Sequence, residues 1–87
     1  MRAIILLKDQ KAVDMCIDKS FAQALRLNKL RDETYFANTR KGAELAATFS
    51  VMDFPAMVLI AEDGTNAGFW QGHLPSQAEL SYAVGYI

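Results

Sequence analysis

Two stretches of this chain are unbroken apolar runs, and they frame everything between them. Residues 3–7 read Ala-Ile-Ile-Leu-Leu, and residues 56–61 read Ala-Met-Val-Leu-Ile-Ala. Runs of this length, bounded by charged or turn residues, predict strands covered on both faces. Between them the spacing turns helical. Val13, Ile17, Phe21 and Leu25 step by four, and Ser20, Ala24 and Leu27 fill the same side. That helix runs to Leu30 from Asp9 or Asp14, both suitable N-caps. Thr34-Tyr35-Phe36 predicts a second strand over residues 33–38. A short helix over residues 42–50 places Ala43, Ala46 and Phe49 on one side.

The second apolar run ends in Glu62-Asp63-Gly64-Thr65, and Asp-Gly between two strand patterns is a hairpin signal. The return strand covers residues 67–71, with the neighbours Phe69 and Trp70 pointing to opposite faces. After Gly72-His73-Leu74-Pro75, Ser76 and Glu79 form a capping box. The helix they open extends to about residue 86 and turns Leu80, Ala83 and Val84 inward. The order is β-α-β-α-β-β-α. The first two strands are parallel through a right-handed crossover, and the last two antiparallel. The two apolar runs take the centre of the sheet, and the strands with Tyr35 and Trp70 its edges. The expectation is one α/β domain over residues 1–87, a four-stranded mixed sheet flanked by helices.

Composition narrows the function classes. The apolar share is 52%, which suits a folded globular chain. Nine Lys and Arg stand against ten Asp and Glu, a net charge of -1. That balance gives no electrostatic pull toward nucleic acid or anionic lipid. No segment reaches the ~20 apolar residues of a membrane span. The first residues lack the long apolar core of a secretory signal. A single cysteine excludes an internal disulfide and fits a reducing compartment, so a cytoplasmic location is expected. One cysteine and one histidine cannot complete a structural zinc site without two carboxylates, and no metal is expected.

The element order, together with residues 44–87, resembles the thioredoxin-like and glutaredoxin-like superfamily. Glu44 to Phe49 looks like the family's second helix and Val51 the residue that closes it. Phe54-Pro55 looks like the proline loop that opens the third strand, Asp63-Gly64 like the hairpin, and Gly72 like the glycine ending the last strand. The resemblance implies a cis Pro55, preceded by a Phe54 backbone open to an extended segment of a partner. It also implies a thiol site after the first strand, and there the chain departs from the family. A Cys-x-x-Cys pair is missing. If Cys16 holds its first position, Lys19 holds the second, and if Cys16 holds the second, Val13 holds the first. An intramolecular dithiol cycle is therefore excluded.

Two readings of Cys16 remain. A thiol in the first turn of the helix can be activated and work with glutathione, although Asp14 and Asp18 oppose its thiolate. In a helix that starts near Asp9, Cys16 is a small hydrophobe at the border of the core. His73, after Gly72, is placed near the Pro55 loop, as a partner's hydrogen-bond donor or as a solvated residue. Met15, Met52 and Phe54 converge at the same end of the sheet, either as an adaptable apolar patch or as core.

The function expected is a redox-inactive or degenerate thioredoxin-like module. It binds a protein or peptide through Phe54, Pro55, Met52, Met15, Gly72 and His73, with no cofactor, as a monomer. The alternative is a monothiol glutaredoxin-like oxidoreductase in which Cys16 is catalytic and glutathione the co-substrate. A third reading makes the domain a subunit that self-associates through an edge strand.

Overall fold

The computed structural model describes residues 1–13 and 17–85. In chain order it contains β1 (Arg2–Leu7), a 3-10 turn (Gln10–Ala12), α1 (Lys19–Leu27), β2 (Arg31–Phe36), α2 (Arg40–Thr48), β3 (Ala56–Ile60), β4 (Asn66–Gln71) and α3 (Gln77–Gly85). The strands form one mixed four-stranded sheet in the order β2-β1-β3-β4. β1 runs parallel to β2, with Leu6 opposite Tyr35. It runs antiparallel to β3, with Ile5 opposite Met57, and β3 runs antiparallel to β4, with Met57 opposite Trp70. The two unbroken apolar runs hold the central positions because only there are both faces covered.

Alternation along those two strands divides the core in two. Ala3, Ile5, Leu7, Met57 and Leu59 face α1 and α3 and pack with Phe21, Ala24, Leu25 and Leu80. Ile4, Leu6, Ala56 and Val58 face the other way and pack with Leu45, Ala46 and Phe49 of α2 and its C-terminus. The result is three layers, two helices over one face and one helix over the other. Trp70 joins the α1/α3 side, while its neighbour Phe69 remains partly exposed.

The first helix starts later than the spacing predicts. Asp9 caps only the 3-10 turn, its carboxylate accepting from the Lys11 N–H at 3.0 Å. Asp18 is extended and accepts from the Phe21 N–H at 2.8 Å, so it is the N-cap of α1. Phe21, Ala24 and Leu25 are buried as expected, but Ser20 is exposed and Leu27 is 60% exposed. At 100° per residue Leu27 stands on the far side of the helix from Leu25.

α2 also rests on the sheet differently. Ala43 is exposed, and Gly42 is the buried residue. A Cβ at Gly42 would lie 1.8 Å from the Phe36 carbonyl oxygen, so no side chain fits there. Thr39 fixes that approach. Its hydroxyl donates to the Phe36 carbonyl at 2.6 Å and accepts from the Gly42 N–H at 3.2 Å, ending β2 and opening α2.

At the hairpin Gly64 has φ +88, and the Asp63 carboxylate accepts from both the hydroxyl and the N–H of Thr65. These bonds hold the Asp63 carboxyl below its usual range, the hydroxyl contributing most. The capping box of α3 is reciprocal. Ser76 N–H donates to Glu79 Oε1, and Glu79 N–H donates to Ser76 Oγ, each at 3.2 Å.

Candidate functional site

Two loops run side by side at one end of the sheet. One leads into β3 through Met52-Asp53-Phe54-Pro55, and the other leaves β4 through Gly72-His73-Leu74-Pro75. Three observations place them together. The Met52 N–H donates to Gln71 Oε1 at 2.9 Å. A Cβ at Gly72, whose φ is +84, would stand 3.9 Å from Asp53 Cβ. Pro55 shares a cleft of about 330 Å³ with Leu74, Pro75, and the Asp18 and Phe21 that begin α1. The Phe54–Pro55 peptide bond is cis.

Burial differs sharply among the residues singled out in the sequence. Met52 is 79% exposed and so does not belong to the core. Phe54 is half-buried and packs on the Ile4, Leu6, Ala56 and Val58 face. It therefore anchors the loop, while Met52 is the apolar group presented outward. His73 is exposed, and its Nε2 lies 3.9 Å from Glu79 Oε2. His73 thus stands beside the first turn of α3. Asp14, Met15 and Cys16 fall outside the described residues.

The cleft adds residues that the sequence does not advertise. Leu74 packs against the core and Pro75 is buried, so the turn after β4 is held firmly. Asp18 and Phe21 come from α1, and their presence depends on where that helix starts. A sequence signal for them exists only in retrospect, as an aspartate three residues before the first buried phenylalanine of the helix.

The chemistry available in this cleft is modest. Asp18 is committed to its cap, Pro55 and Pro75 donate no N–H, Leu74 and Phe21 are apolar, and Ser20, Ser76 and Gln77 supply the rest of the polar lining. Among the described residues no group of three His, Cys, Asp or Glu can hold a metal ion. The shifted titrations involve other sites. Glu79 is held below the usual carboxylate range, mainly by the Ser76 N–H. Tyr35 is raised because its hydroxyl donates to Glu33 Oε1 at 3.0 Å. What the end of the sheet offers is surface: an exposed methionine, a half-buried proline and a small cleft of mixed polar and apolar lining.

No protein-family model matches the chain, and no curated protein matches it in sequence. Among solved structures it is similar to a protein described as DsbH oxidoreductase. That likeness has a TM-score of 0.63 and 14% identity, and covers 99% of this chain and 73% of that one. At this identity the likeness speaks for the fold: a thioredoxin-like α/β arrangement with a mixed four-stranded sheet and three helices. Among the described residues no helix is long and apolar enough to cross a membrane.

Proposed function

We propose that this chain is a thioredoxin-like module that binds an extended protein or peptide segment at the Pro55 end of its sheet. It carries out no internal dithiol cycle, since the sequence holds one cysteine. The observation that carries the reading is the lacing of residues 52–55 to residues 71–75, with Met52 79% exposed on the loop that leads to Pro55. An exposed, unbranched thioether on an anchored loop suits contact with varied apolar side chains. Phe54, Pro55 and Gly72 position that loop, and His73 stands at its flank. The module works as a monomer in a reducing compartment, without a resident cofactor. Its binding is tested with peptides selected against the folded protein: Met52→Asp abolishes their retention while leaving the melting temperature unchanged. Retention by the variant at wild-type strength overturns the reading.

A second reading keeps Cys16 as a glutathione-dependent monothiol. The extended Asp18 rules out one unbroken helix from Asp9, and Cys16 precedes α1 in the sequence instead of standing in its first turn. Activity in a glutathione-coupled disulfide assay, lost in Cys16→Ser, supports this reading. Inactivity of the wild-type chain excludes it.

A further inference from the structure

Among the described residues, no strand lies beside the outer edge of β4. The two edges of the sheet differ in chemistry. β2 carries Arg31, Asp32 and Glu33, charges of the kind that keep an edge strand from pairing with foreign chains. β4 reads Asn-Ala-Gly-Phe-Trp-Gln and carries no charge. Its register shift lies at its start, where Leu59 faces Gly68 and Ile60 faces Asn66. From Gly68 to Gln71 the register with β3 is regular.

An open groove of about 1310 Å³ runs along this edge, between β4, the hairpin and α3. Its apolar lining includes Ala67, Trp70, Ala78 and Ala83. The Trp70 ring lies over Gly68, where an added Cβ would stand 2.6 Å from the indole. Glu62, Asp63 and Glu79 also line the groove, with no Lys, Arg or His among the described lining residues. The basic groups beside them are the Met1 amine, 3.9 Å from Glu62 Oε1, and the His73 imidazole, 3.9 Å from Glu79 Oε2. The groove shares no lining residue with the Pro55 cleft.

We infer that the β4 edge and this groove are a second docking site, which takes an extended basic segment of a partner protein. The segment's backbone pairs with residues 68–71, in the manner of strand addition. Its apolar side chains settle against Trp70 and the alanines, and its Lys or Arg side chains meet Glu62, Asp63 and Glu79. Charge decides the occupant. A second copy of this chain brings the same carboxylates to the groove and an edge without compensating cations, so like charges oppose self-pairing. A basic strand gains from the same carboxylates.

Trp70 is the only tryptophan, so its fluorescence reports the groove directly. The probes are blocked Lys-Val-Lys-Val-Lys-Val and Glu-Val-Glu-Val-Glu-Val peptides, titrated at low and high salt. The lysine peptide is expected to change Trp70 emission saturably, bind more weakly at high salt, and slow amide exchange at residues 68–71. The glutamate peptide is expected to do none of these. The double variant Glu62→Gln/Glu79→Gln weakens the lysine peptide about tenfold. Both changes preserve the fold, since the Glu62 side chain is 92% exposed and glutamine can replace glutamate in the capping box. Equal binding of the two peptides, no response to the lysine peptide, or protection at residues 52–55 instead of 68–71 overturns the inference. A sedimentation mass of twice one chain, with residues 68–71 protected in the free protein, also overturns it, by making a second copy the occupant.

Discussion

Gln71, the last residue of β4, reaches across to the loop that precedes Pro55 and accepts the Met52 N–H at 2.9 Å. The bond spans 19 positions of sequence and joins the two loops at the end of the sheet. Residues 49–55 connect α2 to β3 with Phe49, Val51 and Phe54 packed behind them, and this bond ties down the exposed stretch between Val51 and Phe54. The exposed Met52 owes its fixed position to a side chain on a different strand.

Gln71→Leu removes that acceptor without touching the core. It is expected to cost about 1 kcal/mol of stability, the net worth of one hydrogen bond of this kind. Amide exchange at Met52 should quicken while exchange in β1 and β3 stays slow. Unchanged exchange at Met52 would show that the loop is held by other contacts.

Gly42→Ala tests the close approach of α2 to β2. A methyl 1.8 Å from the Phe36 oxygen forces the helix outward, at a cost of about 1–3 kcal/mol or more. The neighbouring exposed position gives the control. Ala43→Gly creates no clash and costs ~1 kcal/mol, from helix propensity alone. Denaturant midpoints of the two variants should separate accordingly.

Leu80→Ala empties a fully buried position between α3 and the sheet. A loss of about 2–5 kcal/mol is expected in urea unfolding. For a domain of this size, that is a large part of its total stability.

The strands were legible because the physics that makes them is local. Ala-Ile-Ile-Leu-Leu and Ala-Met-Val-Leu-Ile-Ala have no polar face to give to water, so they become the central strands. The start of α1 was not legible. The spacing pointed to Asp9 or Asp14 as the cap, whereas α1 is capped by Asp18, three residues before the buried Phe21. Gly42 was hidden behind Ala43 for a similar reason: its role comes from the Phe36 backbone, which no helical spacing reports. At the candidate site, Phe54, Pro55 and Gly72 stood out through resemblance and turn chemistry. Leu74, Pro75 and Phe21 entered only when folding brought three separate segments to one cleft.

The capping box of α3 sets a dependence on pH. Glu79 titrates below its usual range because the Ser76 N–H donates to the ionised carboxylate. A depressed folded pKa stabilises the fold above the ordinary carboxylate value and loses that contribution as pH falls through the folded value. Asp63 at the hairpin acts in the same direction. The melting temperature should hold steady from neutral pH to about pH 5 and decline below about pH 4. In Glu79→Gln the decline should be shallower, and an identical acid limb would remove Glu79 from the explanation.

NMR shift mapping reads directly where an extended segment docks. Peptides selected against the folded protein should perturb the amides of Met52, Asp53, Phe54, Gly72 and His73, and Met52→Asp should abolish those shifts while the spectrum of the free protein stays dispersed. Perturbations confined to other surfaces, or shifts at these residues that persist unchanged in Met52→Asp, would contradict the account.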